Sequence, residues 1–330
     1  MAIAEFRNVS IDYSLRRCSL HAVRNVDLTL EEGKITALVG ESGSGKTTLA
    51  TSLINCISEP GVISGGNVLF YDEGKEIDVG ALGHAEINRF RWKKVSMVFQ
   101  GAQSALNPVV RIVDQFYETL QVHHDGKLSR EDAMKICRDC LDIVNLDAER
   151  VLQSYPHELS GGMKQRVMIA FALLLEPRAV ILDEPTTALD VITQDYIFSI
   201  LQRINRERGI AMLLLTHDIA VVSKYADYVA VMYGGRIMQF GRTEDVFRRM
   251  EHPYTRGLIS ATPSLIKSLE EMRPIPGSPP NLLDMPSGCV FHPRCTLADG
   301  RCACEEPPSF ALENGGTVKC WRYAEDHHGE

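Results

Sequence analysis

The residues with the most specific chemistry lie between positions 40 and 47, where the sequence reads GESGSGKT. This segment fits the phosphate-binding pattern G-x-x-x-x-G-K-S/T. The apolar run Ile35–Val39 precedes it and the helix-compatible run 47–57 follows it, so it connects a predicted strand to a predicted helix. Glycines there let backbone N–H groups turn inward, and the N-terminus of the helix adds partial positive charge. The sequence therefore predicts a loop that binds the phosphates of a nucleotide.

Individual side chains of this loop have predictable roles. Lys46 can reach the β- and γ-phosphates, and the hydroxyl of Thr47 can bind Mg²⁺. The residues expected to contact the nucleotide here are Gly40, Ser42, Gly43, Ser44, Gly45, Lys46, Thr47 and Thr48. A plain glycine-rich turn is the alternative interpretation, and the strand and helix on either side argue against it.

A second chemical group is the acidic pair Asp183 and Glu184, which follows the apolar run 179–182. Two adjacent carboxylates at the end of a buried strand are costly unless a cation or a ligand uses them. Asp183 suits the coordination shell of Mg²⁺, and Glu184 suits polarising the water that attacks a phosphate. Alone, the pair could be a solvated turn, but beside a phosphate-binding loop it predicts a hydrolytic site.

Five of the nine cysteines fall after position 288. Four of these five are spaced C-x5-C-x6-C-x17-C: Cys289, Cys295, Cys302 and Cys320. The spacing matches neither zinc-finger pairs nor the short cysteine run of ferredoxins, but four thiolates in a proline-rich segment suggest a metal centre that stabilises a weak fold. It does not name the ion. Zinc, with His292 as an additional ligand, and free thiols both stay open, and Cys304 could replace one ligand.

The composition of the 330-residue chain is that of an ordinary globular protein. Hydrophobic residues make up 45% and charged residues 24%, which excludes a disordered or fibrous chain. The net charge of −8 argues against a protein that coats nucleic acid. Apolar runs are shorter than the roughly 18 residues that cross a bilayer, and the first ten residues lack a secretory pattern, so we expect a cytosolic protein with reduced cysteines.

Periodicity predicts an α/β fold that begins with β structure. Residues 3–9 and 23–30 alternate apolar and polar side chains, as half-buried antiparallel strands do. Other apolar runs predict strands at 95–99, 179–182 and 210–215, and a hairpin of 229–232 with 236–239. Apolar spacing of three and four predicts helices within 109–146 and at 194–206. Eight prolines between positions 273 and 308 predict a tail without regular elements, after a boundary near 250–256.

Residues 159–166 read LSGGMKQR and resemble the LSGGQ signature of ABC ATPases, with Met163 where glutamine is commoner. Other family motifs follow the expected order between about residues 5 and 240. The Q-loop glutamine, the D-loop, the switch histidine and the aromatic residue that stacks on adenine correspond to Gln100, Ala188-Leu189-Asp190, His217 and Tyr13. The resemblance implies an ABC-type P-loop ATPase, α/β in class, with a RecA-like core, an antiparallel β subdomain and a helical subdomain at about 101–175.

In this family, two nucleotide-binding subunits enclose ATP in a head-to-tail dimer. The resemblance implies that the signature of one subunit closes on ATP held by the phosphate loop of the other, and it adds four nucleotide-contacting residues: Ser160, Gly161, Gly162 and Asp190. It implies catalytic roles for Glu184, His217, Gln100 and Lys46. It also adds Gln100 to the magnesium ligands Thr47 and Asp183.

Several segments resemble the ATPases of oligopeptide and dipeptide permeases in particular. They read SALNP at 104–108, YPHELS at 155–160, DEPTTALDV at 183–191, HPY at 252–254 and PGSPPNL at 276–282. Gly101 and Ala102 depart from the Asp-Pro that often follows the Q-loop glutamine. The resemblance implies an ATPase domain at 1–250 and a C-terminal domain of the oligopeptide/dipeptide-transporter type at 251–330. In that family the four spaced cysteines resemble the ligands of a 4Fe-4S cluster.

The function implied by this resemblance is that of the ATP-hydrolysing subunit of an ABC importer, peripheral at the cytoplasmic face of the cell membrane, for di- or oligopeptides. Its partners would be a paralogous ATPase subunit, two transmembrane permease subunits and, indirectly, an extracytoplasmic substrate-binding protein, with no nucleic acid. Relatives of this branch also import oligosaccharides or nickel, so these cargoes stay open as alternatives. The competing class is a soluble, non-transport ABC ATPase, which neither coiled-coil heptads nor a strong basic patch supports. A degraded ATPase fused to a cysteine-rich regulatory module would need a broken site, and all the motif residues are present.

Overall fold

The computed structural model describes residues 1–16, 18–101, 104–123, 128–187, 189–261 and 275–324. The chain forms two compact units. The larger unit contains residues 2–30, 36–80 and 215–330, and the smaller unit contains residue 1, residues 31–35 and residues 81–214. Two positions used in the sequence interpretation, Ala102 and Ala188, lie outside the described residues, as do residues 262–274 at the start of the tail.

The larger unit opens with an antiparallel sheet. Its strands are β1 (Ala2–Ser14), β2 (Ser19–Glu31), β4 (Gly61–Asp72) and β5 (Lys75–Asp78), in the order β2-β1-β4-β5. β1 and β4 are antiparallel, with Ala4 opposite Phe70, and β4 and β5 are antiparallel as well. The two predicted half-buried strands are confirmed within β1 and β2, whereas the sequence pattern does not predict β4 and β5.

A second group of strands in the larger unit surrounds β3 (Ile35–Val39), which is buried along its whole length. β9 (Tyr228–Tyr233) and β10 (Arg236–Arg242) form the predicted hairpin, and Gly234 and Gly235 in its turn have φ of 52° and 78°. β9 also pairs in parallel with β3. With β11 (Phe310–Ala311) and β12 (Thr317–Val318) the order is β11-β12-β10-β9-β3. The tail thus adds two short strands beside β10.

The helices described in the larger unit are α1 (Lys46–Ser52), α8 (Ile219–Tyr225), α9 (Thr243–Arg249), α10 (Pro253–Ser260) and α11 (Gly300–Cys304). α1 ends earlier than the predicted residue 57, because Asn55 has the left-handed φ of 46° that stops a helix. The expectation of no regular element between 273 and 308 is wrong at α11. Asp299 caps this helix by accepting a hydrogen bond from the Cys302 N–H at 3.0 Å.

The hydrophobic core of the larger unit includes residues from both β3 and the tail. Val39 of β3 lies in the same buried cluster as Tyr254 of α10 and Phe291 of the tail. The rings of Tyr233, Tyr254 and Phe291 have centroids between 4.6 and 5.3 Å apart. The strand that leads into the phosphate-binding loop therefore shares its core with the cysteine-bearing segment.

The strands described in the smaller unit are β6 (Val95–Val98), β7 (Ala179–Asp183) and β8 (Ala211–Thr216), the last two residues of which belong to the larger unit. Their order is β8-β7-β6, and β6 and β7 are parallel, with Val98 opposite Leu182. These strands confirm the three predicted apolar runs. Because parallel strands end at the same edge of a sheet, the residues that follow β6 and β7 emerge side by side.

The helices described in the smaller unit are α2 (His84–Phe90), α3 (Ile112–His123), α4 (Arg130–Ile143), α5 (Ala148–Gln153), α6 (Gly161–Leu173) and α7 (Val191–Arg208). α3 and α4 confirm the amphipathic helices predicted within 109–146, and α7 contains the helix predicted at 194–206. Side chains cap four of these helices at their N-termini: Ser129, Asp147, Ser160 and Asp190. In the described ranges, no helix is long and apolar enough to span a bilayer.

Candidate nucleotide site

The phosphate-binding loop follows β3 and leads into α1, as predicted. Gly40, Gly43 and Gly45 have φ of 152°, 78° and 99°, which residues with a side chain rarely adopt. A Cβ on Gly40 would lie 2.1 Å from the carbonyl O of Met232, so no other residue fits there without moving the backbone. The glycines fix the path of a loop in which Ser42, Gly43 and Thr47 are exposed.

Lys46 lies over the loop that carries it. Its Nζ donates hydrogen bonds to the carbonyl O of Gly40 (2.8 Å) and to that of Glu41 (3.0 Å). An anionic phosphate oxygen is a stronger acceptor for an ammonium group than a neutral carbonyl. Gly45, the N-cap of α1, provides no side-chain acceptor for the first N–H groups of the helix. The loop therefore offers an anion both a cation and backbone donors.

Two other predicted site residues also lie in the larger unit. The hydroxyl of Tyr13 is 3.5 Å from Oγ1 of Thr48, so the end of this ring lies at the first turn of α1. His217 is exposed in the turn that follows β8. Asp218 caps α8 there by accepting hydrogen bonds from two N–H groups, those of Ala220 and Val221. The structure thus brings Tyr13 to the first turn of α1, beside the phosphate-binding loop, and exposes His217 at the end of β8.

In the smaller unit, the ends of β6 and β7 bring Gln100 and Glu184 together. Gln100 Nε2 donates a hydrogen bond to Glu184 Oε2 at 3.0 Å. Thr187 donates from its hydroxyl to the same carboxylate oxygen at 3.2 Å. Glu184 has a left-handed φ of 47°, a strained conformation of the kind that clusters at functional sites. Asp183 is buried, with 5% of its surface exposed. Two donors and a strained backbone therefore fix the direction of the Glu184 carboxylate.

Thr187 is a site residue that the sequence does not reveal. It is the second of two adjacent threonines, and nothing in the sequence distinguishes it from Thr186. Thr186 is buried and Thr187 is exposed, and only Thr187 reaches the Glu184 carboxylate. The geometry of the strained turn after Glu184 makes this difference, and spacing alone does not reveal it.

The turns that precede α6 and α7 lie side by side. Ser160 caps α6 by accepting the Met163 N–H at 3.3 Å. Asp190 caps α7 by accepting two hydrogen bonds from Thr193, one from its hydroxyl (2.7 Å) and one from its N–H (2.9 Å), and these bonds hold the pKa of Asp190 below its usual value. A Cβ on Gly162 would lie 2.9 Å from Cγ2 of Thr193. The structure therefore brings together four predicted site residues: Ser160, Gly161, Gly162 and Asp190.

The four spaced cysteines lie in one region of the larger unit. The N–H of Cys289 donates to the carbonyl O of Cys302 at 2.8 Å. Burial raises the pKa of the Cys289 thiol to about 11, and the charges of three other thiols, those of Cys302, Cys320 and Cys295, add to the rise. The other three thiols therefore lie near enough to Cys289 to influence its ionisation. Cys304, by contrast, is exposed.

The described side chains around these thiols do not form a metal site. Within the part of the chain that the structure describes, no three His, Cys, Asp or Glu side chains are placed so that they could hold a metal ion. His292, considered as an additional zinc ligand, has Nδ1 3.0 Å from the carbonyl O of Cys289. As placed, these side chains do not form a finished site for a single ion.

A glycine loop between a buried strand and a helix, together with carboxylates at the end of a parallel strand, defines a P-loop ATPase, and the capped glycine turn before α6 is typical of the ATP-binding cassette class. The profile of the ABC transporter family matches residues 23–187. A second profile, described as the oligopeptide/dipeptide transporter C-terminal region, matches residues 238–302. The chain belongs to the ABC transporter family, in the branch that carries this C-terminal region.

Curated relatives are similar along almost the whole chain. The dipeptide transport ATP-binding protein DppD of Caldanaerobacter subterraneus subsp. tengcongensis is 41% identical over 95% of this chain and 94% of its own. The oligopeptide transport ATP-binding protein OppD of Haemophilus influenzae is 39% identical over 98% of both chains. OppD of Salmonella typhimurium is 40% identical over 98% of this chain and 95% of its own.

Solved structures confirm the predicted ABC ATPase fold. The ATP-binding cassette MJ0796, in a dimeric post-hydrolysis state bound to ADP and Pi, is 30% identical with a TM-score of 0.62, over 73% of this chain and 99% of its own. The cbiO1 subunit from Clostridium perfringens, part of the ABC transporter complex cbiONQ, is 28% identical with a TM-score of 0.64, over 76% of this chain and 92% of its own.

Proposed function

We propose that this chain is the ATP-binding and ATP-hydrolysing subunit of an ABC importer for di- or oligopeptides. The observation that carries the proposal is the extent of the similarity. Relatives named for dipeptide and oligopeptide transport match over at least 94% of their own length, and the C-terminal region of that branch matches as well. The phosphate-binding loop supplies the backbone donors and the lysine that binding of ATP requires.

The residues of the larger unit are assigned to binding the nucleotide. The loop from Gly40 to Gly45 donates N–H groups to the phosphates, and Lys46 exchanges its two carbonyl partners for β- and γ-phosphate oxygens. Tyr13 stacks on the adenine, and His217 acts as the switch histidine. The remaining contacts are assigned to the side chains of Ser42, Ser44, Thr47 and Thr48.

The residues of the smaller unit are assigned to hydrolysis. Glu184, which Gln100 and Thr187 hold in place, polarises the attacking water. Asp183, Thr47 and Gln100 would hold Mg²⁺. Their carboxylate, hydroxyl and amide oxygens are the hard donors that this ion prefers, so the donor set fits. The ion, when bound, neutralises charge on the phosphate oxygens.

The paired turns before α6 and α7 are assigned to a second subunit. Ser160, Gly161, Gly162 and Asp190 would contact ATP held by a paralogous ATPase in a head-to-tail dimer. The adjacent N-termini of α6 and α7 support this assignment, because both carry partial positive charge. Two transmembrane permease subunits and, indirectly, an extracytoplasmic substrate-binding protein complete the assembly, which places the chain at the cytoplasmic face of the membrane.

We also propose that the sequence divides into two domains. Residues 1–250 form the ATPase domain, with a helical subdomain at about 101–175, and residues 251–330 form the C-terminal domain. The match of the C-terminal profile supports a distinct role for the end of the chain.

The variant Glu184→Gln tests the hydrolytic assignment. An amide cannot polarise water as a carboxylate does, so we expect ATP hydrolysis to fall by about 100-fold or more while ATP stays bound. With the partner ATPase, MgATP should then trap a closed dimer, which size-exclusion chromatography detects. Glu176→Gln, an exposed glutamate of the same unit, is the control and should hydrolyse normally. Normal hydrolysis by Glu184→Gln would show that Glu184 is not the catalytic carboxylate.

The cargo is tested by transport. Vesicles that contain the permease subunits and both ATPases, supplied with the binding protein, should take up labelled di- or oligopeptides only when ATP is present. Uptake of an oligosaccharide or of nickel, with none of peptide, would replace the peptide assignment and leave the ATPase role intact.

We also propose that Cys289, Cys295, Cys302 and Cys320 ligate a 4Fe-4S cluster. The N–H of Cys289 bonds to the carbonyl O of Cys302, and the thiols of Cys295 and Cys320 lie near enough to Cys289 to raise its pKa, which supports a common ligand. When bound, the cluster would stabilise the tail.

Purification without oxygen tests this proposal. We expect brown protein that absorbs at about 400 nm, as iron–sulfur proteins generally do. Cys295→Ser should lose this absorbance, whereas Cys56→Ser, which alters an exposed cysteine far from the four in sequence, should keep it. Colourless protein with one zinc ion per chain would establish the zinc alternative.

A further inference from the structure

Glu41, the second residue of the phosphate-binding loop, is bonded through every polar group it has. Its N–H donates to the hydroxyl of Tyr254 at 3.0 Å. Its carbonyl O accepts from Lys46 Nζ at 3.0 Å and from the N–H of Ser44 at 3.2 Å. Its carboxylate accepts two hydrogen bonds from Arg294, from Nη1 at 2.6 Å and from Nη2 at 3.0 Å. The position of Glu41 is therefore set largely by residues outside the loop.

Arg294 belongs to the tail, 253 residues further along the chain. Only 6% of its side-chain surface is exposed. Besides Glu41, it donates from Nε to the carbonyl O of Pro276 at 2.7 Å and from Nη1 to the hydroxyl of Tyr233 at 3.2 Å. A planar guanidinium matches a carboxylate with two parallel bonds, and the other acceptors fix its plane. The tail therefore holds the loop through one rigidly placed side chain.

The charge of Glu41 needs a partner. A carboxylate beside a site for an anionic ligand repels that ligand, and the repulsion is stronger where water is largely excluded. The side chain of Glu41 is 25% exposed. Arg294 cancels this charge and holds the carboxylate against the tail. Removal of the guanidinium would leave a half-buried negative charge within the loop.

We propose that Arg294 is a positioning residue for the phosphate-binding loop, which it holds in an ATP-accepting conformation by pairing with Glu41. The proposal rests on the proposed function, because it takes MgATP as the ligand. It extends that function by giving the C-terminal region a direct part in nucleotide binding, which the loop sequence alone does not reveal.

A double-mutant cycle in the full-length protein tests the pair. Arg294→Gln leaves Glu41 charged and unpaired, so we expect the Kd for MgATP, measured by calorimetry, to rise at least about tenfold. Glu41→Gln alone should change it less, because no carboxylate then repels the ligand. The double variant should regain most of the affinity that Arg294→Gln loses. A purely structural role would leave the double variant no better than Arg294→Gln, and that result would overturn the proposal.

The chain offers a matched control for general destabilisation. Arg236 is 7% exposed and makes two hydrogen bonds, 2.5 and 2.9 Å long, to Glu306 of the tail. Arg236→Gln therefore breaks a similar pair in the same unit that does not include a residue of the loop. We expect a comparable fall in melting temperature and a Kd for MgATP within about twofold of the unaltered protein. An equal loss of affinity in both variants would overturn the proposal.

Hydrogen exchange without nucleotide separates this proposal from the proposed function. Amides 41–47 should exchange faster in Arg294→Gln than in the unaltered protein, and they should not do so in Arg236→Gln. Unchanged exchange in Arg294→Gln would show that Arg294 does not position the loop. Failure of the unaltered protein to bind MgATP would instead overturn the proposed function, and the exchange rates would still decide whether Arg294 holds Glu41.

Discussion

Two of the described glycine-rich turns open a helix, and glycine has a different role in each. In the phosphate-binding loop, Gly40, Gly43 and Gly45 have positive φ, and no side chain caps α1. In the turn before α6, Ser160 is the cap, and glycines form the first residues of a regular helix. The first turn needs glycine for its backbone conformation. The second needs it for space, because Gly162 faces Thr193 of the neighbouring helix.

This difference shows two ways to present backbone N–H groups to an anion. The phosphate-binding loop follows a path that glycine adopts more readily than other residues, and Tyr254 and Arg294 hold it from outside. In the turn before α6, Ser160 caps the helix in the ordinary way. α7, the next helix along the chain, packs against this turn through Thr193. Substitutions should therefore damage the first turn through its conformation and the second through packing.

The largest effect is expected from Gly40→Ala. The new methyl group would lie 2.1 Å from a backbone carbonyl O, so the loop cannot keep its path. We expect the affinity for MgATP, measured by calorimetry, to fall by about 100-fold or more, since strain and displacement together exceed about 3 kcal/mol. Gly43→Ala is the control. Nothing lies within 4 Å of its Cβ, so only the left-handed conformation, about 1 kcal/mol, opposes it. Equal losses would mean that the close approach at Gly40 is unimportant.

A smaller effect is expected from Gly162→Ala, which should lower the free energy of unfolding by about 1–2 kcal/mol through overpacking against Thr193. Thr193→Ser removes the methyl group that the new Cβ would contact and keeps the hydroxyl that donates to Asp190. The double variant should therefore be as stable as Thr193→Ser alone in urea unfolding. A double variant that stays destabilised would show that Gly162 serves backbone conformation after all.

Ser160→Ala removes the cap of α6 and should cost about 1 kcal/mol in urea unfolding. Ser160→Asn keeps an acceptor for the N–H of Met163 and should retain most of the stability. In the phosphate-binding loop, no side chain caps α1, so no equivalent substitution exists there. If Ser160→Ala is as stable as the unaltered protein, Ser160 does not stabilise α6 as a cap.

The smallest effect is a dependence on pH through Asp190. Hydrogen bonds from Thr193 hold its pKa below the ordinary value, which is about 3.9 in the unfolded chain. The stabilisation that these hydrogen bonds give the folded protein is therefore fully present above about pH 4. It is lost as the pH falls through the lowered pKa of Asp190. Asp190→Asn should reduce the fall in melting temperature below about pH 4. Asp142 is an exposed aspartate in the same unit, and Asp142→Asn should leave the fall in melting temperature unchanged.

The sequence predicts the phosphate-binding loop well because the relevant chemistry is local. A strand, a glycine pattern and a helix occupy consecutive residues, so no distant contact is needed to recognise them. The same holds for the hairpin of β9 and β10, where Gly234 and Gly235 mark the turn. The end of α1 is less predictable, because residues 53–57 are compatible with a helix until Asn55 takes a left-handed conformation.

The tail is where prediction from the sequence is weakest. Its prolines up to position 308 argue against regular elements, yet α11 forms there around the Asp299 cap. Beyond the prolines, β11 and β12 form because β10 offers a strand to pair with. The pair of Glu41 and Arg294 is invisible for the same reason, since tertiary contacts join residues far apart in sequence. The cysteine spacing predicts a shared ligand for four thiols, and that stays a prediction.

The short strands of the tail have one more consequence, for solubility. β12 pairs with β10, placing Val318 opposite Gln239 and Thr317 opposite Phe240. A bare strand edge recruits other extended chains, including copies of the same protein. A premature stop before residue 310 would uncover the edge of β10. Self-association into insoluble material is then the expected defect of such a shortened product.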